Sequence, residues 1–521
     1  MLSMLMPPQL DHLTAATLRQ WVQRLSLHVT HQDELIGKKD QELHWRQTKI
    51  DKLTHELAMH KRWRFGVKAE HWPVEQRHLF EESADADIAA IESELEQRSS
   101  AKVPTEKRQP KRTALPPELP RTEMIHEPDS TTCACGCRLK RIGEEIAEKL
   151  DYTPGVFTVE RHIRGKWVCT QCETLVQAPV PAHVIDKGIP TAGLLAQVLI
   201  AKYLDHLPLY RQETIFGRAG LAIPRSTLAQ WVGRCGDALQ PVVDALKAEM
   251  LAREILHADE TPVALLNPGA GKTQRAYLWA YCTGAFDSIK AVVYDFTETR
   301  GGKHAREFLE DWRGTLICDD YSGYKALLAD GVTEAGCMAH ARRKFFDLQA
   351  NHQSQIAAEA LDLFGQLYGV EREVAELSDE ARWRIRQEKA KPILDLLHRW
   401  LTTNRQKVPN GSSIAKAIDY SLRRWTALSH YVNDAQVPID NNCAENRMRP
   451  IAIGRKNWLF AGSLRAGQRA AAIMSLIQSA KLNGIEPLAY LKDVLNRLPT
   501  QPASKVADLL PHRWQPEITS H

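Results

Sequence analysis

From residue 22 to residue 57 an apolar side chain returns at every seventh position: Val22, Val29, Ile36, Leu43, Ile50 and Leu57. The companion heptad position is mixed (Leu25, Gln32, Lys39, Arg46, Leu53, His60). Such a stripe predicts one long helix, either self-associating as a coiled coil or lying against the rest of the chain, with self-association the preferred reading. Helical periodicity returns at about 190–250 and again at about 348–430. Between these stretches the pattern shortens to β-rich runs at 255–266, 276–283, 289–296 and 314–318, with a helical signal near 305–312. Strands followed by crossover helices describe an α/β sheet. The expected organisation is multi-domain α/β. It comprises an N-terminal long helix or coiled-coil region (1–97), a Pro-rich basic linker (98–130), a zinc-ribbon-like segment (131–185) and a helical segment of helix-turn-helix type (186–252). An α/β domain (253–475) with a helical insertion at about 348–430 and a C-terminal segment (476–521) complete it.

The chain has 521 residues, 43% of them apolar, and 68 Lys plus Arg against 64 Asp plus Glu, a net charge of +4. These figures exclude a collagen-like chain, an acidic disordered tail and a uniformly basic coat protein. They do not exclude a nucleic-acid binder, because the placement of charge matters more than its sum. The run from Glu81 to Glu96 holds seven carboxylates and no Lys or Arg, and reads as a solvated face. A basic patch (Lys61, Arg62, Arg64, Lys68) precedes it and the linker with its six prolines follows. The longest apolar stretch, about 191–201, contains Gln197 and is too short to span a bilayer; the N-terminus has no signal-peptide pattern. A soluble cytoplasmic protein with no membrane partner is expected.

Five of the ten cysteines lie between Cys133 and Cys172. Cys169-Thr-Gln-Cys172 is a C-x2-C knuckle, whose turn aims two thiolates at one tetrahedral Zn²⁺. In Cys133-Ala-Cys135-Gly-Cys137, two of the three would complete a structural zinc site; a Cys135 and Cys137 pair is cramped, a Cys133 and Cys137 pair wider, and spacing leaves the choice open. The ribbon is rich in Arg and Lys (Arg138, Lys140, Arg141, Arg161, Arg164, Lys166), which suits phosphate contact. A helix at about 209–219, a turn at Gly220 and a second helix capped by Ser226 give the outline of a helix-turn-helix. In it, Arg225, Thr227 and Gln230 would face DNA.

Three acidic motifs stand apart from the other carboxylates. They are His257-Ala-Asp259-Glu260-Thr261-Pro262 in the first β-run, Cys318-Asp319-Asp320-Tyr321 at the end of a later strand, and Asp440-Asn-Asn-Cys-Ala-Glu445-Asn-Arg447-Met-Arg449 at the start of a helix. Two strand-borne aspartates and a helix-borne glutamate supply hard oxygen ligands suited to a pair of Mg²⁺ (or Mn²⁺) ions about 4 Å apart, the arrangement for phosphodiester chemistry. Arg342, Arg343 and Lys344 interleave charge with Phe345 and Phe346, and Arg447, Arg449, Arg455 and Lys456 surround the glutamate. Both groups suit a phosphate backbone.

In order and flanking residues these motifs resemble the insertion sequence 66 family of bacterial transposases. The resemblance spans nearly the whole chain and is carried by 257–262, Gly336-Cys-Met-Ala-His340-Ala-Arg-Arg-Lys-Phe, 441–450, Ile453-Gly-Arg455-Lys456-Asn457-Trp-Leu-Phe, and the segment from Lys481-Leu-Asn-Gly-Ile-Glu-Pro to Trp514. It implies a ribonuclease-H-like catalytic core with a DDE triad at Asp259, Asp319 and Glu445; Asp320 adjoins the second position. The long separation between Asp319 and Glu445 matches the helical insertion. The expected activity is DNA transposition in a bacterial cytoplasm, at the nucleoid: binding of the terminal inverted repeats, nicking, and joining of the 3′-OH to target DNA. Homo-oligomers and accessory proteins of the same element are expected partners beside DNA. A metal-dependent nuclease that does not join, or an inactive DNA-binding regulator, would carry many of the same motifs.

Overall fold

The computed structural model describes residues 15–65, 74–98, 115–117, 119–128, 130–153, 155–185, 188–267, 272–352 and 354–516. Most of the Pro-rich linker (99–114) and Lys68 lie outside the described residues. Two helices open the chain, α1 (Ala15–Phe65) and α2 (Val74–Arg98). The heptad stripe of α1 divides in two. Leu53 is buried against α2, whereas Val29, Ile36 and Leu43 remain 55%, 53% and 62% exposed. An apolar row left in water along a helix is the pattern of a surface awaiting a partner.

A small sheet follows, built from β1 (Arg121–His126), β2 (Leu139–Thr153), β3 (Val156–Cys169) and β4 (Leu175–Gln177). The long β2–β3 hairpin is antiparallel, β1 joins β3 in parallel, and β4 pairs with the end of β3. Its base is anchored by Tyr152 and Phe157, which meet Phe216 at centroid distances of 5.3 Å each. Phe216 belongs to the second of three helices, α3 (Ala192–Tyr203), α4 (Leu209–Arg218) and α5 (Arg225–Leu251).

The central sheet has five strands: β5 (Ile255–Asn267), β6 (Lys272–Thr283), β7 (Val292–Thr297), β8 (Thr315–Cys318) and β9 (Thr333–Gly336), in the order β7-β6-β5-β8-β9. The first three form an antiparallel meander, and β8 and β9 add in parallel after the crossovers through α6 (Gly302–Leu309) and α7 (Lys325–Ala329). The insertion is helical throughout: α8 (Met338–His352), α9 (Gln355–Val374), α10 (Asp379–Ile385), a π-helical turn at Arg386–Ala390, α11 (Lys391–Lys407), α12 (Ser413–Arg423) and α13 (Trp425–Leu428). It has its own core, in which Phe345, Phe364, Leu367, Leu397 and Ile418 pack on Ile317 and Ala335 of the sheet. Then come α14 (Asn442–Trp458), α15 (Leu464–Leu482) and α16 (Pro487–Arg497).

Helix α15 covers the open edge at β7. The Ser475 hydroxyl accepts the Tyr294 N–H at 2.8 Å, and Ser479 both accepts from and donates to Val292 at 3.0 Å. Edge groups that would otherwise recruit another strand are thereby satisfied. Helix α15 runs across residue 475, and α16 after it packs on α3 and α15. Among the described residues, no helix is long and apolar enough to cross a membrane.

The acidic run does not form a solvated face; this corrects the reading from sequence. It lies on α2, packed against α5 and α15, and its carboxylates meet cations from four other helices. Glu81 pairs with Arg225 at 3.1 Å, Glu82 with Lys202, Glu92 with Lys61 at 2.8 Å, Glu94 with Arg465 at 3.2 Å and Glu96 with Arg234 at 3.3 Å. Asp87 is fully buried and meets Arg469 of α15 at 2.9 Å. Removing one partner from so buried a pair leaves an uncompensated charge. Asp87→Leu or Arg469→Leu should therefore cost about 3–5 kcal/mol in urea unfolding, and the double substitution much less than the sum. Additive losses would show that the two side chains do not act as a pair.

Candidate active site

Strands β5 and β8 are adjacent and parallel, with Ile255 beside Thr315, Leu256 beside Leu316 and His257 beside Ile317. Continuing that register sets Asp259 level with Asp319, on neighbouring strands about 4.8 Å apart and on the same face. Both lie just past the end of the β5–β8 pairing, although Asp259 still pairs with Ala280 of β6. Each secures its own turn: Asp259 Oδ1 accepts the Glu260 N–H and Asp319 Oδ1 the Tyr321 N–H, both at 3.0 Å. Asp320 is directed to the insertion, where Arg424 meets it at 3.1 Å.

Glu445 comes from the first turn of α14, and one amide holds that turn in place. Asn441, 1% exposed, donates through Nδ2 to the Ala258 carbonyl at 2.9 Å. Its Oδ1 is then left to accept from Nδ1–H of the fully buried His257 at 2.8 Å. The glutamate helix is thus pinned to the strand one residue before Asp259. Burial keeps His257 below the ordinary imidazole value, in its neutral form. His257 and Asn441 lie inside the quoted motifs but were not singled out from sequence; the signal was a polar residue amid the otherwise apolar start of β5.

The carboxyl groups crowd one another. Asp259 is pushed up to about 7, first by burial and then by the charges of Glu260, Asp319 and Glu445. Glu260 is also raised by burial, against the pull of Arg300, whose Nε donates to it at 2.9 Å. Tyr324 completes its partners at 2.9 Å. Glu260 therefore braces the underside of the sheet while Asp259 faces the site. Glu445 lies 3.4 Å from Arg343 and 3.5 Å from His340. An oxygen-rich, crowded donor set of this kind is suited to hard divalent cations.

Arg342, Arg343 and Lys344 are exposed on α8. The first two line a groove of about 530 Å³ with Phe346, Tyr368, Arg372 and Asn442, directly beside Glu445. Arg449, Arg455 and Lys456 are exposed on α14, Arg455 touching the Pro262 carbonyl at 3.2 Å. Arg447 is not on that surface; it is half-buried, with its carbonyl accepting from Tyr294 at 2.7 Å.

The helix-turn-helix outline differs from expectation in two respects. Helix α5 begins at Arg225 with Pro224 at the cap, so Ser226 is not the capping residue. Arg225 is held by Glu81 and its N–H by Glu213 at 3.0 Å, and α5 continues for 27 residues through the core. Gln230 is exposed and Thr227 half-buried. In the ribbon, Cys133, Cys135, Cys169 and Cys172 converge, with sulfurs within 4.8 Å of one another. Separations of 3.3 Å and 3.6 Å approach the edge of a tetrahedron around zinc. The Thr174 hydroxyl holds the Cys172 thiol down at about 6, favouring the thiolate that zinc needs. Cys137 lies outside the cluster, 2.9 Å from Gln171 Oε1. Gly136, at φ +85°, makes the turn that brings Cys135 inward. The ribbon's Arg141, Arg161 and Arg164 pair with Glu144, Glu123 and Glu145, leaving Arg138 and Lys140 as its exposed cations near the cluster.

The sequence model described as "Transposase IS66 family" matches residues 187–469, and that of the "IS66 C-terminal element" matches 475–512. Residues 130–173 match the "zinc-finger binding domain of transposase IS66", and 52–124 match "Transposase C of IS166 homeodomain". Among relatives, the uncharacterized protein y4hP of Sinorhizobium fredii is 35% identical over 489 residues, covering 90% of this chain and 88% of the relative. The protein y4qI of the same organism is 36% identical over 487 residues, covering 90% of each.

Two outcomes follow from the site's geometry. A carboxyl group raised from 3.8 to about 7 stabilises the fold while protonated, and that contribution is lost as pH rises through 7. In Mg²⁺-free buffer the wild-type Tm should therefore fall between pH 5 and 8, the Asp259→Asn Tm should fall less, and Mg²⁺ at pH 8 should restore only the wild type. Asn441→Ala should cost about 1–3 kcal/mol by leaving buried partners unsatisfied. It should lower kcat more than it weakens DNA binding, and an unchanged kcat would remove the amide from the site's support.

Proposed function

This chain belongs to the IS66 family of transposases, and from that premise we propose that it nicks the ends of its element and joins the freed 3′-OH to target DNA. The observation that carries the reading is the register that levels Asp259 with Asp319, with Asn441 bringing Glu445 to the same end of β5. The five-stranded order, a meander followed by two parallel strands, supports a ribonuclease-H-like core. Asp259, Asp319 and Glu445 would hold two Mg²⁺ or Mn²⁺ ions. When bound, such ions stabilise negative charge on the attacking and leaving oxygens of an in-line displacement.

The chain's own residues do the rest. Asp259 sits near 7, so it gives up its proton readily when a cation arrives. Arg342, Arg343, Lys344, Arg455 and Lys456 form a positive rim on both sides of Glu445 and hold the phosphates of the strand being processed. Arg449 extends that rim along α14. Terminal-repeat recognition is assigned to the ribbon and to the segment around Gln230 and Thr227. Arg225 serves the fold through Glu81 instead. The ribbon's four converging thiols hold a structural zinc. The exposed row Val29, Ile36 and Leu43 is the surface through which copies of the chain associate. Accessory proteins of the element would add to this assembly.

The deciding experiment incubates labelled element ends and target DNA with Mg²⁺ and wild type, Asp259→Ala, Asp319→Ala or Glu445→Ala. Each substitution should lower both nicking and joining by about 100-fold or more, the scale of losing one electrostatic contributor at a reacting centre. Joining that survives any of the three would remove that residue from the triad. Nicking without joined product, even with accessory proteins added, would make the protein a nuclease.

A further inference from the structure

Glu445 is shared by a second cluster whose chemistry differs from that of the aspartates. Cys337 ends the turn after β9, and His340 stands three residues on, in the first turn of α8, a spacing that puts both on one helix face. A sulfur, an imidazole nitrogen and a Glu445 carboxylate oxygen lie within 4.8 Å of one another. Within this group, His340 Nδ1 and Glu445 Oε1 are 3.5 Å apart; both atoms are buried and neither has a hydrogen-bond partner. The Cys337 thiol is buried and accepts the Asn441 N–H at 3.2 Å. The amide's backbone thus orients the sulfur while its side chain pins the glutamate helix. Two orphaned polar atoms facing each other beside an oriented thiol form a donor set lacking its central cation.

We propose that Cys337, His340 and Glu445 form a site for Zn²⁺ or a similarly borderline-soft ion, and that filling it withdraws Glu445 from the Mg²⁺ centre and silences the enzyme. The inference rests on the proposed catalytic role of Glu445. One thiolate, one imidazole and one carboxylate are the three-ligand complement of an open zinc site, a fourth position being left for water. The same set is poor for Mg²⁺, which prefers oxygen. An ion that binds sulfur strongly displaces the thiol proton to solvent as it enters. Selection between the two metals therefore comes from the sulfur. A carboxylate oxygen committed to zinc on the Cys337 side is no longer directed at the aspartates. The protein would then sense zinc at two places: structurally in the ribbon, and as an inhibitor at the catalytic glutamate.

The test uses the full chain with its ribbon filled with zinc, titrated with Co²⁺ and read by the absorption of cobalt bound to thiolate. Wild type should take up one further Co²⁺ per chain, and Cys337→Ser and His340→Gln should bind it at least about tenfold more weakly. His340→Gln guards against a Cys337→Ser protein that fails to fold. In the Mg²⁺-dependent nicking assay, Zn²⁺ should inhibit wild type at concentrations at least about tenfold below those needed for the variants. Equal Co²⁺ uptake by all three proteins would overturn the site, and uptake without inhibition would overturn the regulatory role. Metal uptake is read without DNA, so an inactive protein that binds cobalt at Cys337 would fail the transposase reading and leave the site standing.

Discussion

Asp259, Glu260, Asp319 and Glu445 bring four carboxyl groups to one end of the β5–β8 pair, partly out of water, and this crowding governs the surrounding structure. Like charges gathered in a poorly solvated place repel, and the fold must hold them there by other means. Glu260 is relieved by Arg300 and Tyr324 on the far face of the strand. Glu445 is held by the helix it rides on, and that helix is tied down by Asn441 through the Ala258 carbonyl and the His257 ring. Asp259 is the group raised to about 7, first by burial and then by the carboxylate charges around it. Burial and repulsion at Asp259 weaken the metal-free fold, and on the proposed reading that energy would become binding energy for a cation.

Charge elsewhere is arranged by the opposite logic. The carboxylates of α2 are spent on Lys61, Lys202, Arg225, Arg234, Arg465 and Arg469, which join α1, α3, α5 and α15 into one body. The small net charge of +4 thus conceals two populations. Cations on the inner helices are neutralised by α2, and Arg342, Arg343 and Lys344 of α8 with Arg449, Arg455 and Lys456 of α14 remain exposed around the site. On the proposed reading a DNA backbone would meet the second population together with the ribbon's exposed Arg138 and Lys140. Arg225 illustrates the difference: its position at the start of a helix suggested contact with DNA, whereas its guanidinium is committed to Glu81.

The sequence made much of this legible because its signals were local. Four of the five central strands, the helical insertion and the C-x2-C knuckle each depend on periodicity or short spacing, whereas the four-residue β9 was too short to signal itself. The three carboxylate motifs stood out within a β-run, at a strand end and at a helix start. Contacts between distant segments were not legible. Nothing near Glu81 or Asp87 announces Arg225 or Arg469, so the acidic run looked solvated. That Cys133 and Cys135 rather than Cys137 join the cluster depends on the local backbone path, with Gly136 at positive φ, which spacing does not encode. Asn441 adjoins Asn442 in the chain, and only the fold shows which of the two amides faces His257.

The helical insertion, which from sequence explains only the distance between Asp319 and Glu445, braces both residues. Arg424, at the end of α12, meets Asp320 and Glu334 and reaches the Cys318 carbonyl at 3.4 Å, fixing the end of β8 just where Asp319 leaves it. Tyr368 of α9 donates to Asp440 at 2.8 Å, and Asp440 in turn accepts the Asn442 N–H at 3.0 Å, securing the approach to α14. Fully buried Arg386, paired with Glu371, donates to the carbonyls of Tyr431, Asp434 and Val437 and so stiffens the loop that delivers Asn441. The two carboxylates are therefore positioned from one side by the sheet and from the other by a separate hydrophobic core. A loop of the same length would span the gap but would leave Asp319 and Glu445 free to relax away from Asp259. Because repulsion within the site favours that relaxation, a rigid insertion opposes it and holds Asp319 and Glu445 toward Asp259, as shared cation binding on the proposed reading would require.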